Sequence, residues 1–112
     1  MRSALRSWLQ ALGVVTDTVD RALVVLSELA TNAIEASPDG SSIVVRWHAE
    51  GRALQITVED RGPGFAYAAA EPVDETAERG RGLVIVDGLA ESISVAHADG
   101  RTTVSARVNL DR

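Results

Sequence analysis

The run Leu54-Gln55-Ile56-Thr57-Val58-Glu59-Asp60-Arg61-Gly62-Pro63-Gly64-Phe65 changes character at Asp60. Up to that point Leu54, Ile56, Val58 and Asp60 alternate with Gln55, Thr57 and Glu59, the period of two that marks a strand with one buried face. Beyond it the alternation stops, and Gly62, Pro63 and Gly64 favour a turn. By phase, Asp60 belongs with Leu54, Ile56 and Val58, so the strand ends on a carboxylate directed to the core side. Burying a carboxylate is costly unless it accepts good hydrogen bonds.

On the N-terminal side, Ile43 to His48 alternates as a second strand, joined to the first through Glu50-Gly51-Arg52. Pro38-Asp39-Gly40 reads as a turn. Before it, Val19, Ala22, Leu23, Leu26, Ala30, Ala33 and Ile34 recur on one face at helical spacing. That helix is predicted from Thr16-Asp17, which supply N-cap side chains, to about Ala36, because the residue before Pro38 avoids helical torsions. Leu5, Trp8, Leu9 and Leu12 predict a shorter amphipathic helix that Gly13 ends. On the C-terminal side, the chain from Arg61 to Arg81 loses periodicity, a length that is uncommon in a small domain unless functional. Leu83 to Ala90 reads as a short helix. Ile93–Ala98 and Thr102–Leu110 form a hairpin across Asp99-Gly100. A mostly antiparallel sheet with helices packed on one face accounts for this order.

The chain has 112 residues, the size of one domain, with 46% hydrophobic and 24% charged residues. There is no cysteine, which removes disulfides and thiolate metal sites, and only His48 and His97 represent histidine. The net charge of −5 argues against a nucleic-acid binder. All eleven cations are arginine, so a lysine-dependent Walker loop is excluded. No apolar run reaches the ~18–20 residues of a membrane span, and no secretory signal precedes the first helix; a cytoplasmic domain is expected.

Three clusters carry candidate chemistry. Glu28 and Asn32 are four residues apart on the long helix and share a stripe. An amide oxygen there suits a hard cation that keeps other oxygen ligands, and a nearby carboxylate suits deprotonation of a hydroxyl. Arg21, Glu28, Asn32 and Glu35 also read as the solvated face of an amphipathic helix. At the strand end, Asp60 can accept from an exocyclic amine, which adenine has where guanine has an oxygen, and Gly62 and Gly64 allow a flat ring to approach. The same residues fit a plain turn that Asp60 caps. Gly80-Arg81-Gly82-Leu83 opens a helix, where exposed N–H groups and the helix dipole favour a phosphate. It also fits an ordinary loop-to-helix junction. Thr102 shares the phase of Val104, Ala106, Val108 and Leu110, so its hydroxyl faces inward beside the strand of Asp60. Trp8, Trp47 and Phe65 read as packing residues, and neither histidine is assigned a role.

Taken together and in order, these segments resemble the GHKL (Bergerat-fold) ATPase superfamily. Ser27-Glu28-Leu29-Ala30-Thr31-Asn32-Ala33 is similar to its N box, and Asp60 through Phe65 to its D-x-G-x-G-F box. Gly80 to Leu83 is similar to its G-x-G-[LF] box, and Gly100-Arg101-Thr102-Thr103-Val104 to its closing strand segment. The resemblance spans about residues 19–110. The form of the N box, and the cadence of Gly82-Leu83-Val84-Ile85-Val86 with Ala90-Glu91-Ser92-Ile93, resemble the anti-sigma-factor serine/threonine kinases.

The resemblance implies a single 1–112 domain, an α/β (α+β) two-layer sandwich whose mostly antiparallel mixed sheet carries helices on one face, with ATP held between the layers. It implies Asn32 as the Mg2+ ligand, Glu28 as general base and Asp60 as partner of the adenine amine. Gly62, Gly64, Gly80, Arg81, Gly82, Leu83 and Thr102 would complete the nucleotide site, under an ATP lid at about 66–79. The implied partners are an anti-sigma-factor antagonist bearing an acceptor serine, a sigma factor, and a second copy in a homodimer, so that the kinase regulates transcription. Two alternatives accompany this reading: a nucleotide-dependent sigma-factor or antagonist binding module without catalysis, and the ATP-binding catalytic domain of a sensor histidine kinase. Ala36 stands where many relatives have histidine, and the leading strand that many relatives carry is missing before the first helix.

Overall fold

The computed structural model describes residues 1–36, 43–60, 88–98 and 100–110. Two helices, α1 (Arg2–Ala11) and α2 (Thr16–Ala36), precede four strands: β1 (Val44–Glu50), β2 (Ala53–Asp60), β3 (Ser92–Ala98) and β4 (Arg101–Asn109). The sheet order is β1-β2-β4-β3, and all three pairings between these strands are antiparallel. The expected α+β layering is present, with α2 lying against the two central strands, β2 and β4, and α1 lying against α2.

Local sequence explains each boundary. The α1 helix closes in a Schellman motif. Gly13 adopts φ 79°, its N–H donates to Gln10 O at 3.0 Å, and the Val14 N–H donates to Leu9 O at 3.1 Å. A side chain at that φ would be strained. The start of α2 differs from expectation. Val15 O accepts from the Val19 N–H at 3.0 Å, so Val15 occupies the cap position and Thr16 and Asp17 lie inside the first turn. Asp17 then acts on the helix dipole rather than as a cap. A two-residue turn at Gly51-Arg52 joins β1 to β2, with Gly51 at φ 61°. Of the helix expected over Leu83–Ala90, residues up to 87 lie outside the described set, while Gly88 and Leu89 are helical.

The inner face of the sheet is built in rows across paired strands. Val58, Val104 and Val95 form one row, and Ile56, Ala106 and Ile93 the next. Leu54 and Val108 follow. These pack in one cluster with Leu5, Leu9, Val19, Leu23, Val25, Leu26 and Leu29, while Trp8 and Trp47 are half-buried against it. Each fully buried aliphatic side chain contributes about 1.5–3 kcal/mol.

The buried arc of α2 is broader than the stripe read from sequence. It includes Thr18, Val25, Leu29 and Asn32, whereas Ile34, expected on the apolar face, is 62% exposed. Leu12 is likewise exposed rather than packed. Among the described residues, no helix is long and apolar enough to cross a membrane.

Candidate functional site

One step beyond the valine row, the inner face of the sheet turns polar. Asp60 is the register partner of Thr102, and Thr102 is the partner of His97, so the three form a row across β2, β4 and β3. Partners in an antiparallel pair project to the same face with Cβ atoms about 4.5–5.5 Å apart. Asp60 is 2% exposed and Thr102 is fully buried, which places a carboxylate and a hydroxyl side by side under the helical layer. The hydroxyl of Thr102 lies 2.9 Å from Nδ1 of His97.

The topology produces this neighbourhood. The chain leaves β2 at Asp60, and the β3–β4 hairpin inserts β4 next to β2, bringing Thr102 back to the point of departure. The glycine-rich segment that begins at Arg61 therefore starts at the polar end of the sheet. The outer face at the same level has a different character. There Glu59, Thr103 and Ala96, with Arg101 and Ala98, line an open hollow of about 480 Å³ that faces away from the helices. Arg101 Nη1 and Glu59 Oε2 stand 3.9 Å apart across it.

On α2, Glu28 is half-buried, and Asn32 one turn later is only 5% exposed. The sequence reading had put Asn32 on the solvated side, and the structure corrects it. Because α2 meets both α1 and the sheet, its buried arc reaches round to Asn32. Among the described residues, the Asn32 Nδ2 has no hydrogen-bond partner. An unmet buried amide costs about 1–3 kcal/mol, so a position that retains one asks for a further group. An amide offers both an acceptor oxygen and N–H donors, which suits a hydrated cation or a phosphate oxygen. Among the described residues, no group of three or more acidic, histidine or cysteine side chains could hold a metal by itself. A cation at Asn32 would take its other ligands from phosphate and water.

Of the residues singled out in the sequence, the structure brings Asp60 and Thr102 together and places Glu28 and Asn32 on the helix that covers their strands. Gly62, Gly64, Gly80, Arg81, Gly82 and Leu83 lie outside the described residues, as does the segment 66–79. His97 was given no role, yet the signal for it was in the sequence. A two-residue turn at Asp99-Gly100 pairs Ala98 with Arg101 and therefore His97 with Thr102.

An antiparallel sheet, four-stranded among the described residues and covered by helices on one face, has the fold of GHKL-type ATPase domains. Residues 1–108 match the family model of the histidine kinase-like ATPase domain, and the chain belongs to that family. Among curated proteins it is similar to the serine-protein kinase RsbW of Bacillus pumilus (strain SAFR-032). That match is 27% identical over all of this chain and 78% of that protein. RsbW of Bacillus thuringiensis (strain Al Hakam) is 24% identical, over 86% of this chain and 68% of its own length. Among solved structures, the blue-light activated histidine kinase of Erythrobacter litoralis EL346 superimposes with a TM-score of 0.66 at 25% identity. The match covers 87% of this chain and 32% of that one, so this chain spans about a third of that kinase. The catalytic domain of histidine kinase ThkA gives a TM-score of 0.65 at 18% identity, covering 82% of this chain and 68% of that one, a likeness of fold.

Proposed function

We propose that the chain binds ATP with magnesium and acts as a serine/threonine protein kinase of the anti-sigma-factor type, phosphorylating an anti-sigma-factor antagonist. The observation that carries this reading is the buried Asp60 beside the buried Thr102 at the end of the sheet from which the glycine-rich segment departs. A carboxylate in that setting accepts from the exocyclic amine of adenine, and a guanine oxygen presented to it would be repelled. The orphaned Nδ2 of Asn32 supports a phosphate and cation end of the same ligand. Magnesium, when bound, supplies charge neutralisation of the phosphates. Glu28, one helical turn from Asn32 and half-buried, would take the proton of an attacking serine hydroxyl. Gly62, Gly64, Gly80, Arg81, Gly82 and Leu83 would complete the nucleotide contacts. The similarity to proteins named as the serine-protein kinase RsbW supports serine as the acceptor.

Calorimetric titration of ATP, ADP and GTP with magnesium into the wild type and Asp60→Asn tests the nucleotide site. Micromolar adenine-nucleotide binding that the substitution removes is the expected result, and a folded wild type that binds neither ATP nor ADP would overturn the proposal. Labelled ATP and the antagonist should yield phosphoserine, and Glu28→Ala should abolish transfer while sparing nucleotide binding. The superposition on histidine kinases favours a second reading, the catalytic domain of a sensor kinase. Acid-labile phosphohistidine on a helical-hairpin substrate, in place of acid-stable phosphoserine, would establish it.

A further inference from the structure

His97 lies outside every motif named above, on strand β3, with its ring exposed at the end of the polar row. Its Nδ1 approaches the Thr102 hydroxyl at 2.9 Å, and Thr102 is itself fully buried next to Asp60. A hydroxyl has one proton and two acceptor lone pairs, and a neutral imidazole nitrogen is either donor or acceptor, never both. When Nδ1 carries the ring proton it donates to Thr102 Oγ1, and the Thr102 proton is free to be directed elsewhere. When Nδ1 is bare, Thr102 spends its proton on the ring, and only lone pairs remain for the rest of the site. The tautomer of an exposed histidine thus decides whether a buried threonine is a donor or an acceptor at the base-binding end.

The two states suit different bases. Adenine presents an amine donor beside a ring-nitrogen acceptor, and guanine presents an oxygen acceptor beside a ring N–H donor. An ionised Asp60 offers only acceptors. Adenine is therefore matched when the second group, Thr102, can donate, directly or through a water, and guanine is doubly mismatched. We propose that His97 is a positioning residue for base specificity: its Nδ1–H holds Thr102 Oγ1 as an acceptor and leaves the single Thr102 proton for the base. This rests on the reading of Asp60 as the adenine partner, and it adds a residue on a third strand to that site.

Two measurements test it. Long-range proton–nitrogen correlation spectra of the 15N-histidine-labelled chain identify which ring nitrogen of His97 bears the proton, with no nucleotide present. The Nδ1–H form is expected, and the Nε2–H form overturns the inference whatever else the protein binds. Titration of ATP and GTP with magnesium then compares the wild type with His97→Phe, His97→Asn, Thr102→Val and Asp60→Asn. The ATP-to-GTP affinity ratio should fall roughly tenfold in His97→Phe and in Thr102→Val, the scale of one hydrogen bond to the base. It should recover in His97→Asn, whose amide N–H takes the place of Nδ1–H, a rescue that a purely structural role would not produce. ATP binding that needs Asp60 but keeps its ratio in His97→Phe and Thr102→Val refutes the role of His97 and leaves the nucleotide site standing. Absence of adenine-nucleotide binding by the folded wild type removes the site and this inference with it.

Discussion

The valine row and the polar row are separated by a single residue on each strand, yet they do opposite things. Val58, Val104 and Val95 gain free energy from being covered, and any apolar neighbour of about the right shape would serve them. Asp60 and Thr102 are buried just as deeply and lose free energy by it unless each polar atom is matched. The same helical layer therefore covers apolar side chains at one level and groups that need matched partners at the next. On α2 the contrast repeats along one helix, between the packed Leu26 and Leu29 and the orphaned amide of Asn32. Among the described residues, buried polarity thus stands at the end of the sheet with Asp60 and Thr102 and, on α2, at Asn32 and Thr18.

The largest effects should come from the apolar rows. Ile56→Ala removes a fully buried side chain at the centre of the sheet and should cost about 2–5 kcal/mol, read as a lowered urea midpoint. An unchanged midpoint would mean that the rows do not carry the stability and would break the comparison. Asn32→Leu should run the other way. Deleting a buried amide with no partner should leave stability equal or raise it by up to about 3 kcal/mol, while magnesium-dependent binding of ATP is lost. A strong loss of stability would show that Asn32 holds the fold rather than a ligand.

Thr18→Val sharpens the distinction further. The Thr18 hydroxyl is fully buried with no partner among the described residues, about four turns along α2 from Asn32, so its removal should add about 1 kcal/mol and leave nucleotide affinity unchanged. If affinity falls as well, unmatched polarity on α2 is coupled to the site and the two regions are not separate. The smallest effect belongs to the outer face. Arg101 and Glu59 meet at 3.9 Å with the arginine side chain half in solvent, and Glu59→Gln should change stability by less than about 1 kcal/mol, an effect that salt erases.

Much of this was legible in residue order. The alternation through Leu54, Ile56, Val58 and Asp60 defined a half-buried strand and the side on which its carboxylate lies, because a pleated strand has only two faces. The phase of Thr102 followed in the same way, and Gly13 ended α1 because its left-handed torsion closes the helix without strain. The Asp99-Gly100 turn even fixed His97 opposite Thr102, although the hydrogen bond between them had to be seen to be used.

What the order of residues did not determine was who stands beside whom across long separations. Nothing local inserts β4 between β2 and β3, since that choice depends on pairings between residues more than forty positions apart. The arc of α2 that is buried was also beyond reach. A helix touching one sheet has a narrow apolar stripe, but α2 meets α1 and the sheet together, so Asn32 is covered while Ile34 is left outside. Residue order set the elements, the inward faces of the strands and the chemical groups at their ends, because these follow from local torsions and periodicity. Tertiary packing decided that Asp60 joins the row of Thr102 and His97 and that Asn32 is covered, because both depend on which surfaces meet after the chain has folded.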